Sequence, residues 1–308
     1  MYKNLVFEGG GVKGIAYAGA LKVFDEYGIL EQVERVGGAS AGAITALLIA
    51  LNYPPSTITS IIKNMNLSEM KDDTWGFGRD IFRLFSGYGW NKGEHFKKWI
   101  AQLIKAKTRN EHITFKQFHE MKNPRNRFRD LYVLGANLST GYSEIFSYEH
   151  TPDMKVVDAL RITMSLPLFF SAVRYKGHIY VDGGLFNNYP IELFDNRKYI
   201  IPNSYSEKMF NTETLGLRLD SLAEIRVLRD GNTPEVNKIK NIKDFTLALS
   251  KALLNHLENR HRNDMLDKSR TIYIDTLDVG VTDFDLSETD KMRLFESGCR
   301  GAEYFFSK

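Results

Sequence analysis

The sequence has little of what would mark a secreted or membrane-spanning protein. Cys299 is the only cysteine, so no disulfide can form within the chain, as is typical of a reducing compartment. No apolar run is long enough to cross a bilayer, and the N-terminus lacks the layout of a signal peptide. These absences predict a cytoplasmic protein, and any membrane contact would be peripheral.

Charge and metal-binding patterns are also sparse. The formal net charge is +3, too small to indicate a nucleic-acid partner. No Cys or His spacing resembles a zinc site, and no metal or cofactor is predicted. The remaining composition is ordinary, with 43% hydrophobic and 26% charged residues among 308. It predicts a globular chain with a sizeable core, interpreted as one domain over residues 1–308.

Two βα units open the chain. Residues 5–7 predict a strand, the glycine-rich turn Gly9–Gly14 follows, and 15–26 have helical spacing. A second predicted strand at 33–37 is followed by a turn and a predicted helix at 41–51. The order predicts an α/β fold, with a mainly parallel central sheet sandwiched by helices.

The rest of the chain continues the mixed pattern. Further strands are predicted at 131–137, 143–147, 171–175, 178–181, 199–202, 215–219 and 271–275. Further helices are predicted at 57–65, 94–107, 115–121, 155–165, 243–262 and 287–306. Residues 66–95 carry aromatics among glycines without a clean period and are interpreted as an insertion over the sheet, while 221–240 are expected to form a polar loop.

Ser40 lies at the apex of the second turn, within Gly38–Gly42. A serine in a sharp turn between a strand and a helix is exposed, and its small neighbours leave room for a carbonyl to approach. The pattern G-x-S-x-G is short enough to arise by chance, and it is also compatible with an ordinary glycine-rich turn. The strand before it and the apolar helix after it favour a nucleophile.

Asp182 is the carboxylate best placed to serve such a serine. It ends an apolar strand and is followed by Gly183-Gly184, although an Asp-Gly turn closing a hairpin has the same pattern. None of the seven histidines follows a strand in a glycine-flanked turn. His178 is the best alternative base, but it begins the strand that Asp182 ends, roughly 13 Å away.

The turn Gly9–Gly14 can point several N–H groups into one concavity, which binds a phosphate or an oxyanion. Lys13 adds a positive charge for an anion or lipid headgroup. The spacing also fits the G-x-G-x-x-G of dinucleotide-binding enzymes, but the second strand ends in Gly37–Ser40 rather than in the acidic residue which that fold requires. No G-K-[ST] is present, so a nucleotide P-loop is not supported.

Together these stretches resemble the patatin-like phospholipase family. The matching segments are Gly9–Gly14, Gly38–Gly42 and Asp182–Gly184, in the family's order and separation. Ser165-Leu166-Pro167 resembles its serine–proline block. The likeness covers residues 4–205 well and the remainder loosely, and it implies a three-layer architecture with a helical part over 241–308. The aromatic residues of the insertion at 66–95 make it a candidate lid, although they are also compatible with a cover over the core.

The resemblance implies a Ser–Asp dyad without histidine, in which Ser40 is the nucleophile and Asp182 the base. It also implies an oxyanion hole from the N–H groups of Gly10, Gly11 and Val12. Glu8 departs from the aspartate that often precedes the three glycines, and a structural role is expected for it.

The function expected from the resemblance is lipid acyl hydrolysis of the phospholipase A or lysophospholipase type, through an acyl-serine. The expected partners are a phospholipid or other lipid ester and a membrane surface. An activating partner or ligand is also compatible with the family, and the oligomeric state stays open. The alternative is a non-catalytic lipid- or nucleotide-binding scaffold of the same fold.

Overall fold

The computed structural model describes residues 1–65, 89–91, 93–200, 209–233, 239, 264–281, 283 and 285–307. Most strands of its central sheet are parallel and helices flank the sheet, so the predicted α/β class is confirmed. Most of the predicted insertion at 66–95 and the predicted helix at 243–262 lie outside the described residues.

Within the described residues the main sheet has eight strands: β1 (Asn4–Phe7), β2 (Arg35–Gly38), β4 (Asp130–Asn137), β5 (Tyr142–Phe146), β7 (Val173–Tyr175), β8 (His178–Asp182), β9 (Thr214–Asp220) and β10 (Thr271–Asp275). Across the sheet they follow the order β10-β9-β1-β2-β4-β8-β7, and β5 also pairs with β4. Two shorter strands, β3 (Gly89–Asn91) and β6 (Leu168–Phe170), pair separately.

Five strands form the parallel centre of the sheet. β1 pairs with β2 on one side and β9 on the other, and β10 and β4 continue the sheet outward. These central strands are almost entirely buried because helices and turns cover the sheet. Strands β5, β7 and β8 are antiparallel additions beside β4.

The core consists of a large and a small hydrophobic cluster, which lie on opposite faces of the sheet. Leu5 and Phe7 enter the large core under the helices, whereas Val6 enters a smaller cluster with Tyr132 and Phe194 on the opposite face. Successive side chains of a strand point to opposite faces, so β1 contributes to both layers.

Nine α-helices are assigned within the described residues. They are α1 (Ile15–Glu26), α2 (Ala41–Ala50), α3 (Pro55–Lys63), α4 (Glu94–Thr108), α5 (Phe115–Glu120), α6 (Val156–Thr163), α7 (Leu222–Leu228), α8 (Met265–Ser269) and α9 (Glu288–Phe306). Every residue of α2 is buried against the sheet. None of the described helices combines the length and apolar character that a bilayer crossing requires.

Helices α1 and α9 pack so closely that glycines are required where they cross. A Cβ atom at Gly19 would overlap the Phe295 carbonyl oxygen, and a Cβ at Gly298 would overlap the Ala16 carbonyl oxygen. The two glycines therefore set the short distance at which α9 covers α1.

Three sequence predictions are wrong. Residues 199–200 lie in a turn rather than a strand, since Tyr199 instead packs edge-on against Phe194. Part of the expected 221–240 loop is helix α7, whose start is fixed by a capping box in which Ser221 and Glu224 exchange hydrogen bonds. Helix α3 begins at Pro55, not after a Ser56 cap, because proline is favoured in the first helical turn.

Substituting Gly298→Ala tests the helix crossing. Alanine is the better helix former, but here its methyl group would force α1 and α9 apart, so we expect the free energy of unfolding to fall by about 2 kcal/mol. Urea denaturation measures this change. Glu303→Ala on the exposed face of α9 is the control, and it should stay within about 0.5 kcal/mol of wild type. A Gly298→Ala protein as stable as the control would contradict the close crossing.

Candidate active site

Ser40 occupies a strained turn between β2 and α2. Its backbone has φ 52° and ψ −129°, a conformation that non-glycine residues seldom adopt. The strain places the serine ahead of the first turn of α2, half-exposed beside otherwise buried neighbours. The structure therefore has the strand, sharp turn and helix that the sequence predicts around Ser40.

The glycines on either side of Ser40 are required by the approach of β1. A Cβ at Gly38 would lie 2.7 Å from the Phe7 carbonyl oxygen, and a Cβ at Gly42 would lie 2.5 Å from the Glu8 carbonyl oxygen. Real Cβ atoms do not come so near to backbone oxygen, so only glycine lets α2 start this close to the end of β1.

Asp182 reaches the same place because β2 and β8 use the same edge of β4. Val133 pairs with Gly38 of β2 and with Phe146 of β5, so β2 and β5 lie on opposite sides of β4. Farther along β4, β5 and β8 pair with the same residues, so they too lie on opposite sides. β8 is therefore on the β2 side and runs toward the end of β2, which brings Asp182 toward Ser40.

The Asp182 carboxyl is buried, with 3% of the residue exposed. Its Oδ1 accepts the Gly184 N–H at 2.8 Å, while its Oδ2 is buried and has no hydrogen-bond partner among the described residues. Burial raises the pKa of Asp182 to about 7, while the hydrogen bond from Gly184 and the nearby Ser40 hydroxyl lower it by smaller amounts. A carboxyl with this pKa can gain or lose a proton near neutral pH.

The end of α6 holds both residues in place. Thr163 Oγ1 accepts the Ser40 N–H at 2.9 Å, and the Ser165 carbonyl accepts the Asp182 N–H at 3.0 Å. The Ser40 hydroxyl is near enough to influence the Asp182 pKa, but it points to Met164 Sδ at 3.8 Å rather than making a well-formed bond to Oδ2. Sequence reasoning missed Thr163, which has no local signal because it acts through contacts distant in the chain.

The glycine-rich turn lies beside Ser40. A Cβ at Gly9 would come within 3.1 Å of Ser40 Cβ, so the turn follows directly along the serine. Within the described residues, neither the Gly10 nor the Gly11 N–H donates a hydrogen bond. The Val12 N–H, which was expected to join them, instead donates to the Val281 carbonyl at 3.3 Å and is already engaged.

Asn188 connects the glycine-rich turn to the turn after Asp182. Its side-chain Nδ2 donates to the Gly9 carbonyl at 3.1 Å, and its backbone carbonyl accepts the Gly9 N–H at 3.0 Å. A Cβ at Gly184 would lie 2.6 Å from Asn188 Oδ1. The Asn188 side chain therefore occupies the space beside Gly9 and Gly184 that a larger residue at either position would need. Sequence reasoning missed Asn188, since an asparagine six positions beyond Asp182 forms no recognisable pattern.

Glu8 and Lys13 border the same turn. Glu8 is buried, and its Oε2 accepts the Leu219 N–H at 2.6 Å, so it ties the end of β1 to β9. Lys13 is half-buried on the 3₁₀ turn Gly11–Gly14. Burial raises the pKa of the nearby Asp220, and the positive charge of Lys13 lowers that pKa by a smaller amount. Neither side chain is shown in contact with Ser40.

His178 lies away from this site. Its Nδ1 is 2.8 Å from Asn137 Nδ2 at the far end of β8, so it is separated from Asp182 by the length of the strand. Among the residues that the structure describes, no group of three His, Cys, Asp or Glu side chains is arranged to hold a metal ion.

Both the fold and the sequence of this chain match known proteins. VipD from Legionella pneumophila matches the structure with a TM-score of 0.61 at 17% identity, covering 99% of this chain and 67% of VipD, so the two share a fold. The patatin-like phospholipase family matches residues 5–195 of the sequence. The chain therefore belongs to the patatin-like phospholipase family.

Relatives of similar length match this chain over most of its residues. The uncharacterized protein YqhO of Bacillus subtilis is 30% identical over 100% of this chain and 99% of its own length. The probable lipid hydrolase 463L of Invertebrate iridescent virus 6 is 26% identical over 86% of this chain and 92% of its own. The match to both relatives covers most of their length, so the likeness extends beyond the motifs around Ser40 and Asp182.

The raised pKa of Asp182 has a consequence for stability. The folded protein keeps this proton up to about pH 7, whereas the unfolded chain releases it near the ordinary value of 3.8. Stability is therefore lost as the pH rises from about 4 to about 7, and it stays low above that range. We expect Asp182→Asn to raise the free energy of unfolding at pH 9 by about 2–4 kcal/mol.

The same comparison at pH 5 provides the control, because both side chains are then neutral in the folded protein. Denaturant titrations of wild type and Asp182→Asn at the two pH values measure the difference. An Asp182→Asn protein that is less stable than wild type at pH 9 would rule out a buried, costly carboxylate.

Proposed function

We propose that this protein is a lipid acyl hydrolase that works through a Ser40–Asp182 dyad. The observation that carries the proposal is the convergence of a strained serine with a buried carboxylate at the facing ends of β2 and β8. Membership of the family and the likeness to a probable lipid hydrolase support a lipid ester as substrate.

The first step forms an acyl-serine. Ser40 Oγ attacks the ester carbonyl carbon, and its proton passes to the Asp182 carboxylate, whose Oδ2 has no other partner among the described residues. The carbonyl π electrons move onto its oxygen. When the tetrahedral intermediate collapses, the alcohol part of the lipid leaves and takes the proton from Asp182.

The second step releases the fatty acid. Water attacks the acyl-serine and gives its proton to Asp182, and Ser40 recovers a proton as the carboxylic acid departs. In both steps the negative oxygen of the intermediate would accept hydrogen bonds from the Gly10 and Gly11 N–H groups. Val12 would contribute only if its bond to Val281 were broken.

The strain at Ser40 and the burial of Asp182 support this division of roles. The strained turn holds Oγ where a bulky acyl group can reach it. Burial gives the carboxyl a pKa near 7, which makes it a stronger base than an exposed aspartate and leaves it largely ionised just above neutrality. Histidine is not needed in this scheme.

Replacing either member of the dyad tests the proposal directly. We expect Ser40→Ala and Asp182→Asn to lower kcat for a soluble short-chain ester by at least about 10³-fold, because each removes one partner of the proton transfer. Ser40→Ala should also lose labelling by a fluorophosphonate. His178→Ala, which removes the alternative base, should keep the wild-type rate.

If wild type is not labelled and hydrolyses neither the short ester nor vesicle lipid, a non-catalytic binding role would be favoured instead. If His178→Ala loses turnover while Asp182→Asn keeps it, the base is histidine. Lipid mass spectrometry of vesicles incubated with wild type and Ser40→Ala identifies the bond that is cleaved.

The pH profile tests the role of Asp182. Because the ionised carboxylate accepts the proton, kcat/KM should rise with pH, with a midpoint near the Asp182 pKa of about 7. Below the midpoint the rate should fall about tenfold for each pH unit. Initial rates on a soluble ester, corrected with Ser40→Ala, measure the profile. A rate that is constant from pH 5 to pH 8 would exclude a base with this pKa.

A further inference from the structure

Two hairpins extend past the candidate site as a single unit. The first joins β4 to β5 through residues 138–141, and the second joins β7 to β8 through residues 176–177. The Leu138 N–H donates to the Ile179 carbonyl at 2.8 Å, and the Ile179 N–H donates to Ser139 Oγ at 3.0 Å. These bonds tie the ends of the hairpins together.

The hairpins extend past the carboxyl edge of the parallel strands, the edge at which Ser40 lies. β4 continues beyond its pairing with β2, and β8 runs back along that extension. Asp182 is at one end of β8 and His178 is at the other, so the hairpin ends lie about 13 Å or more beyond Asp182.

The hairpin ends expose apolar and aromatic surface. Leu138 is 47% exposed and Tyr142 is 74% exposed. Tyr142 pairs directly with Asn137, the neighbour of Leu138, so the two exposed side chains belong to one turn. Single exposed apolar residues are common on soluble proteins, but tyrosine and leucine together at such a site suit the boundary between water and lipid.

The same ends carry positive charge without compensating negative charge. Arg174 and Lys176 are exposed, and neither has an ion-pair partner among the described residues. The two hairpins contain three carboxylates, and each has an internal partner or is buried. Asp130, at the end of β4 farthest from the hairpin turn, is paired with Lys122. Glu144 accepts from Asn137 Nδ2 and Tyr180 Oη, and Asp182 is buried.

The strand register places Tyr142 on one face of the sheet and Arg174 on the other, so the two can meet a membrane together only at the end of the hairpins. We propose that Leu138, Tyr142, Arg174 and Lys176 form an end-on surface, here termed the tip surface, that docks the protein on an anionic lipid bilayer. This inference rests on the proposed function, because a bilayer is where a lipid hydrolase finds its substrate. The cations attract anionic headgroups, and the leucine and tyrosine enter the interface. Docked in this way, the protein turns the opening beside Ser40 toward the membrane.

Vesicle binding of Ser40→Ala tests the tip surface without digesting the lipid. Sedimentation with phosphatidylcholine vesicles, with and without phosphatidylglycerol, measures binding. In that background, Arg174→Ser with Lys176→Ser should weaken binding to the phosphatidylglycerol vesicles about 10- to 30-fold, and added salt should shrink this difference. Leu138→Ser with Tyr142→Ser should weaken binding to both kinds of vesicle by at least about fivefold.

Lys268→Ser with Tyr304→Ser is the matched control. These residues lie together near the start of β10, at the opposite edge of the sheet, and the change removes the same kinds of group. The control should bind vesicles like Ser40→Ala alone. With Ser40 intact, the tip-surface variants should hydrolyse a soluble short-chain ester at the wild-type rate, which also shows that they are folded.

The results separate this inference from the proposed function. Failure of the Ser40-intact protein to hydrolyse any ester would overturn the proposed function, while the binding assay would still decide whether the tip surface docks. Absence of vesicle binding, or equal binding by the tip-surface variants and the control, would overturn the inference even if the short ester is hydrolysed.

Discussion

The structure depends on the way two strands share one edge of β4. β2 occupies the first half of that edge and β8 the second, so the two strands meet end to end from opposite directions. Their meeting brings together residues that are far apart in the chain. It also leaves the parallel sheet open at its carboxyl edge, the usual position of a functional site in an α/β fold.

The convergence has a cost in stability. One carboxyl oxygen of Asp182 is buried without a hydrogen-bond partner in the described part of the chain, and Ser40 is held in a backbone conformation that serine disfavours. Both features lower the stability of the folded protein, and they persist only where the surrounding structure holds them in place. Here the surroundings are extensive, since α2 is wholly buried and the end of α6 bonds to both residues. The site therefore relies on the rigidity of the core.

The glycine-rich turn shows how close packing and hydrogen bonding are combined. Gly9 leaves room for Asn188, and the bonds between these two residues fix the turn relative to the loop that follows Asp182. The Val12 N–H is engaged by Val281, while those of Gly10 and Gly11 make no bond within the described part of the chain.

The sequence by itself determined the features that arise from local chemistry. Glycine spacing and apolar periodicity predicted the turns and most of the elements, because strained turns and helical faces impose their residue types locally. The same patterns, with the family resemblance, made Ser40 and Asp182 the candidate site residues. The sequence analysis overlooked helix α7 although its capping box is a local signal, whereas the turn at Tyr199 depends on distant partners. Only the tertiary structure decided which edge of β4 receives β8, how deeply Asp182 is buried, and that Thr163 and Asn188 support the site, since these follow from contacts between residues remote in the chain.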